Sequence, residues 1–180
     1  VEAQGDTVSV SVRVRNTGDR FGKEVAQLYL SKPSDKLDQP FQELVGFRKT
    51  SLLAPGAEEQ IQICFRLSDS ASYDEEYAAY FLERGEYLLR LGNSSSCTEI
   101  IATISLQDTV CTKKVRNCLG NPGFKDIRGP VRKKEPVPET AVRLVMDQSA
   151  FTTVIAEYQR EVEIDKRVKA FSDEELAYLA

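Results

Sequence analysis

Three consecutive carboxylates, Asp74-Glu75-Glu76, form the densest acidic cluster in residues 1–110. Paired carboxyl groups can do acid–base chemistry, but only where their surroundings push the two pKa values apart. In a polar loop the same cluster is a solvated face, and that is the expectation for this one. Around it stand Tyr73, Tyr77, Tyr80 and Phe81. Aromatic faces suit sugar rings, which makes Tyr73 and Tyr77 the candidate substrate-binding residues, at the rim of a site. The competing role for such rings is packing a loop onto the fold.

Other chemistry is narrowed by what the 180 residues lack. There is no His, which removes Ser-His-Asp and Cys-His triads and His-ligated metals. Cys64, Cys97, Cys111 and Cys118 have neither C-x-x-C nor zinc spacing. Free thiols in a reducing compartment, the cytoplasm, are the expectation; a Cys111–Cys118 or Cys97–Cys111 bridge and an extracellular location are the alternatives. Pro55-Gly56 and Gly85 mark turns, and no Gly-rich loop opens a helix to cradle a phosphate. Neither a metal nor a cofactor is expected. Asn93-Ser94-Ser95 matches the N-glycosylation pattern, which is short enough to arise by chance.

The net charge of −4 is unevenly spread. Residues 111–136 carry eight basic side chains against two acidic ones, between two acidic flanks. Lys113-Lys114-Val115-Arg116 and Arg132-Lys133-Lys134 lack the interleaved aromatics of a nucleic-acid surface, so this stretch reads as a solvated linker that docks on an acidic neighbour. No nucleic-acid partner is expected. No apolar run has membrane-spanning length, and no membrane partner is expected either.

The elements that would position these residues are strands. In TVSVSVRVRN (7–16), Val8, Val10, Val12 and Val14 alternate with polar residues, the pattern of a half-buried strand. In EQIQICFRL (59–67), Ile61, Ile63, Phe65 and Leu67 share one face, which puts Cys64 on the other. Further strands are expected over 24–30, 43–50, 85–92 and 98–106. Residues 31–40 and 68–80 read as polar loops, and Asn16-Thr17-Gly18-Asp19 and Ala54-Pro55-Gly56-Ala57 as turns. Tyr87 is a tyrosine-corner candidate or a plain core tyrosine. Short strands with Gly, Pro and Asn turns and no intervening helices make the fold mainly β: an immunoglobulin/fibronectin III-like antiparallel β-sandwich. The absence of Trp excludes the antibody-type version.

Past residue 110 the character changes. Asn121-Pro122-Gly123, Gly129-Pro130, Pro136 and Pro138 interrupt and stiffen the chain. From residue 150, Phe151, Val154, Ile155, Tyr158 and Val162 recur at helical spacing. Ser172-Asp173-Glu174-Glu175 is a capping box. The expected organisation is a sandwich over 1–110, a basic Pro/Gly-containing linker over 111–149, and a helical extension over 150–180 leading into a following domain. A chain that opens in a strand pattern and closes in a helix is expected to be a piece of a longer protein.

An ordered set of phrases runs through the sandwich. Val25-Ala26-Gln27-Leu28-Tyr29-Leu30-Ser31 is followed by Pro40, by Glu43-Leu44-Val45-Gly46-Phe47-Arg48-Lys49-Thr50 and by Leu53-Ala54-Pro55-Gly56. Ser72-Tyr73-Asp74-Glu75 and the stretch from Gly85-Glu86-Tyr87 to Gly92-Asn93-Ser94-Ser95 complete it. Over residues 1–106 this closely resembles the fibronectin type III-like domain of family 3 glycoside hydrolases, the β-glucosidase family. Phe171-Ser172-Asp173-Glu174-Glu175-Leu176-Ala177 is similar to the lead-in to the barrel domain in a permuted subgroup of that family.

The resemblance implies a retaining glycosidase as parent, whose two catalytic carboxyl groups sit about 5 Å apart. In the family these come from the barrel and the α/β sandwich, so no catalytic residue is assigned here. The expected role is a non-catalytic accessory domain that positions the neighbouring catalytic domains of the same chain, with an oligosaccharide or β-glucoside at a shared site. A free-standing carbohydrate-binding or adhesion sandwich is the alternative.

Overall fold

The computed structural model describes residues 1–118, 120, 123, 135–157 and 164–179. In chain order the described strands are β1 (Glu2–Gln4), β2 (Thr7–Arg15), β3 (Val25–Ser31), β4 (Glu43–Lys49), β5 (Glu58–Arg66) and β6 (Ser72–Asp74). There follow β7 (Ala79–Leu82), β8 (Gly85–Ser94), β9 (Cys97–Leu106), β10 (Val110–Lys114), β11 (Val142–Met146) and β12 (Val154–Ile155). Two short helices close the series, α1 (Lys166–Lys169) and α2 (Asp173–Leu179).

Alternation builds one layer. β2 pairs antiparallel with β5 so that Val8, Val10 and Val12 lie opposite Phe65, Ile63 and Ile61. All six are buried. With β1 they form a three-stranded sheet. The facing layer has five strands in the order β11-β9-β8-β3-β4. It contributes Ala26, Leu28, Leu30, Tyr87, Leu89, Ala102, Ile104 and Leu106 to the same core. Each Leu or Ile buried this way contributes roughly 1.5–3 kcal/mol, which makes the two-layer core the main source of stability.

The layers touch closely at one glycine. Gly46 lies opposite Leu28, so its face points into the sandwich. A Cβ there would meet Ile63 Cγ2 at 2.8 Å. Turn chemistry follows the residue types. Asn16 Nδ2 donates to the carbonyls of Arg20 and Leu53, while its Oδ1 accepts from Gly18 N. Gly56 supplies a φ of 77° in the 54–57 turn.

The last third departs from the sequence reading. β11 and all of β10 but its first residue lie within 111–149, the stretch read as linker. β11 pairs parallel with β9, setting Leu144 opposite Ile104 and Met146 opposite Leu106. Met146 is part of the core. The helical spacing at Phe151, Val154 and Ile155 does not give a helix: Val154 and Ile155 form β12, parallel to Lys113 and Lys114 of β10. The run Thr152-Thr153-Val154-Ile155 is β-branched throughout, which favours that outcome. Tyr158 and Val162, placed on the same stripe, lie outside the described residues, as do Gly129-Pro130 and Arg132-Lys133-Lys134. The capping box forms as expected: Glu175 N donates to Ser172 Oγ at 3.3 Å, and Ser172 N donates to Glu175 Oε2 at 2.8 Å. All four cysteines are free, and Cys64 is exposed as its strand register requires.

Candidate functional site

The stretch 68–80, read as a loop, holds a short hairpin. β6 and β7 pair antiparallel, with Tyr73 opposite Tyr80 and Asp74 opposite Ala79. β10 extends this into a small sheet that β12 completes, in the order β12-β10-β7-β6. The hairpin turn carries Ala78 at a φ of 48°. On this platform the rings of Tyr73 and Tyr80 lie 5.3 Å apart, and those of Tyr77 and Phe81 meet edge to face at 5.9 Å. Both separations are within the range of favourable aromatic pairs. Tyr77 is 62% exposed and Tyr73 39% exposed. The two sequence candidates therefore share one hairpin, each supported by a second ring and each partly open to solvent.

The acidic cluster is not a uniformly solvated face. Glu75 and Glu76 are exposed, but Asp74 is buried. Its charge is matched by Lys36, whose Nζ donates to Asp74 Oδ2 at 2.8 Å and to Glu76 Oε2 at 3.0 Å. Asp74 Oδ1 also accepts from Glu76 N, as an Asx turn. The hydrogen bond to Asp74, followed by that to Glu76, holds the Lys36 ammonium above the usual lysine range. One lysine thus bridges both carboxylates, which leaves the group with one net negative charge. Lys36 Nζ also sits 4.5 Å from the Tyr77 ring centroid, a cation–π distance.

Sequence reasoning passed over the lysines. Lys32 Nζ donates to Ser70 O and Ser72 Oγ and lies 3.1 Å from Glu43 Oε1, fastening the 31–40 loop to the hairpin and to β4. It also passed over Arg90. Arg90 is 4% exposed, on the outer face of the five-stranded sheet. Its Nε donates to Ser31 Oγ, its Nη2 to Glu135 Oε1, and its guanidinium lies 4.9 Å from the Phe41 ring. A signal was present in Tyr87-Leu88-Leu89: three successive apolar residues in a strand mean that both faces are covered. Tyr87 itself is fully buried, and its hydroxyl donates to Glu83 O at 2.7 Å, the backward hydrogen bond of a tyrosine corner. Burial first, then the Glu83 charge, pushes its pKa above the ordinary tyrosine range.

Among the described residues no group of three His, Cys, Asp or Glu side chains could hold a metal ion. A groove of about 390 Å³ opens between β4 and β5, lined among others by Glu43, Leu44, Cys64, Arg66 and Asp69. Two of its charges are already matched, Glu43 by Lys32 and Arg66 by Asp6. What the chain presents is therefore a two-layer sandwich and an aromatic hairpin whose Asp74 and Glu76 share one lysine.

Residues 24–95 match the family described as the fibronectin type III-like domain. Over 119 residues the chain is 40% identical to β-glucosidase A of Butyrivibrio fibrisolvens, covering 63% of this chain and 14% of that protein. Among solved structures, a β-glucosidase from Paenibacillus barengoltzii superposes with a TM-score of 0.61 at 32% identity, covering 64% of this chain and 14% of that one. β-Glucosidase 3B from Thermotoga neapolitana gives a TM-score of 0.55 at 40% identity, covering 60% and 15% respectively. The chain thus spans about one seventh of the length of these relatives. Its sandwich is homologous to one part of multidomain β-glucosidases.

Proposed function

We propose that this chain, a fibronectin type III-like domain homologous to part of the family 3 β-glucosidases, is the non-catalytic accessory domain of a β-glucosidase-type hydrolase. The observation that carries this is the 40% identity concentrated on a segment that is only 14% of its relative. Its job is positional. Holding two catalytic domains in register matters because a misplacement of ~1 Å at a reacting centre can cost about a hundredfold in rate. The capping box at Ser172 supports a further step, in which α2 leads into a barrel domain and the architecture is the permuted one. The four free cysteines support a cytoplasmic location.

The test is to read the open reading frame outward from Val1 and Ala180 and assay the encoded chain on an aryl β-glucoside. An α/β sandwich before Val1, a barrel after Ala180 and turnover by the full chain only would bear the proposal out. A frame encoding no further domain, or turnover by the 180 residues alone, would sink it.

A second reading has its own observation in the exposed rings of Tyr73 and Tyr77 on one hairpin. They would contact an oligosaccharide or β-glucoside at the rim of the shared site. Tyr73→Ala and Tyr77→Ala in the full chain should then raise KM with kcat little changed. Unaltered KM in both would leave these rings a packing role.

A further inference from the structure

The two outer faces of this sandwich differ in kind. On the three-stranded sheet the outward positions of β2 are Thr7, Ser9, Ser11, Arg13 and Arg15, set opposite Arg66, Cys64, Gln62, Gln60 and Glu58 of β5. No large apolar side chain stands among them, as expected of a face that meets water.

The outer face of the five-stranded sheet is different. Tyr29, Arg90 and Thr103 lie on it and are buried. Phe41, which stacks on Arg90, and Glu135, which pairs with Arg90, cover its centre. Beyond Arg90 the same face continues onto β4. Leu44 lies opposite Tyr29 and Phe47 opposite Gln27, so both point outward while Gly46 points into the core. Leu44 is 50%, Phe41 53% and Phe47 66% exposed. β4 is also the end strand of its sheet. Exposed apolar side chains grouped along the end strand of a sheet are a liability in a free domain and are normally covered.

Resting on the accessory-domain reading, we infer that the Phe41–Leu44–Phe47 ridge and the β4 edge are the face on which this domain docks against the catalytic part of its own polypeptide. The occupant follows from proportion: in its relatives the matching segment is about one seventh of the chain, so most of the polypeptide lies outside it. A continuous neighbour at high effective concentration needs only a modest apolar patch to stay docked. The polar β2–β5 face stays in solvent.

Phe21 provides an internal control, because it is 66% exposed like Phe47 but lies beside the Gly22–Leu53 bridge, off this ridge. Hydroxyl-radical footprinting of the full-length chain reads both rings in one experiment. Phe47 should be oxidised several-fold more slowly than Phe21 at every protein concentration. Phe47→Asp in the full chain should then raise the labelling of Phe41. Equal labelling of Phe47 and Phe21 in a chain that turns over β-glucosides overturns the docking face and leaves the accessory role standing. Protection of Phe47 that disappears on dilution overturns it in favour of a second copy. A reading frame without catalytic domains removes the accessory role itself, and the docking face with it.

Discussion

Arg90 Nη2 donates to Glu135 Oε1 at 2.7 Å across 45 residues of sequence. The contact joins the middle of β8 to the end of the basic stretch, ahead of β11. That segment is therefore anchored at two places, by an ion pair on the outer sheet face and by β11 in the ladder with β9. Held at both places, this segment is part of the sandwich rather than a loose linker.

Arg90→Met should lower stability by about 1–3 kcal/mol: a buried charge and its hydrogen bonds are lost, but Glu135 is partly wet and can rehydrate. Glu135→Gln, which keeps an acceptor beside Arg90, should cost less. Urea unfolding midpoints rank the two. A midpoint for Arg90→Met equal to that of the parent would mean that the ion pair contributes nothing.

Tyr87→Phe removes the hydroxyl that donates to Glu83 O and should cost about 1–2 kcal/mol at neutral pH. It also predicts a pH effect. The fold raises the pKa of Tyr87, so the native state keeps the proton after the unfolded chain has released it near pH ~10. Stability should fall above that pH by up to about 1.4 kcal/mol per unit from this group, and Tyr87→Phe should lose that component. Parallel alkaline limbs for the two proteins would contradict this.

The contact between Gly46 and Ile63 Cγ2 predicts a coupling. Gly46→Ala should destabilise by about 1–3 kcal/mol through overpacking. Ile63→Ala should cost roughly 2–5 kcal/mol as a core truncation. The double variant should cost less than the sum, because Ile63→Ala removes the methyl that the new Cβ strikes. Additive losses would place the strain elsewhere.

How much was legible depended on whether the signal was local. Val8, Val10 and Val12 against Ile61, Ile63 and Phe65 could be read from period alone, because one face is buried and the other polar. Asp74 could not. Its burial is tolerated only because Lys36, 38 positions upstream, supplies the opposite charge. β11 was hidden by Pro136 and Pro138, which mark an interruption without saying that the chain then rejoins the sheet. β12 was hidden by spacing: Phe151, Val154 and Ile155 fit a helical stripe, while the backbone is held by Thr153 Oγ1 to Cys111 O and Ala156 N to Lys114 O. For the candidate site, the sequence named Tyr73 and Tyr77 but not the hairpin that sets them together. That hairpin is extended by β10, whose pairing with β7 is a non-local contact.

The Lys36–Asp74 pair yields a ranking that local charge counting would not. Lys36 is half exposed, whereas the Asp74 side chain is 7% exposed. Lys36→Met leaves a buried carboxylate without its counter-charge. Asp74→Asn removes that charge and leaves Lys36 free to turn to Glu76 and to water. Lys36→Met should therefore be the more destabilising of the two, and adding Asp74→Asn to it should recover stability, because the unmatched charge is gone. Thermal melts of the four proteins at pH 7 measure both effects. If Lys36→Met and Asp74→Asn cost the same and the double variant recovers nothing, the hairpin rests on its ring contacts, Tyr73 on Tyr80 and Tyr77 on Phe81, and the charges beside it are incidental.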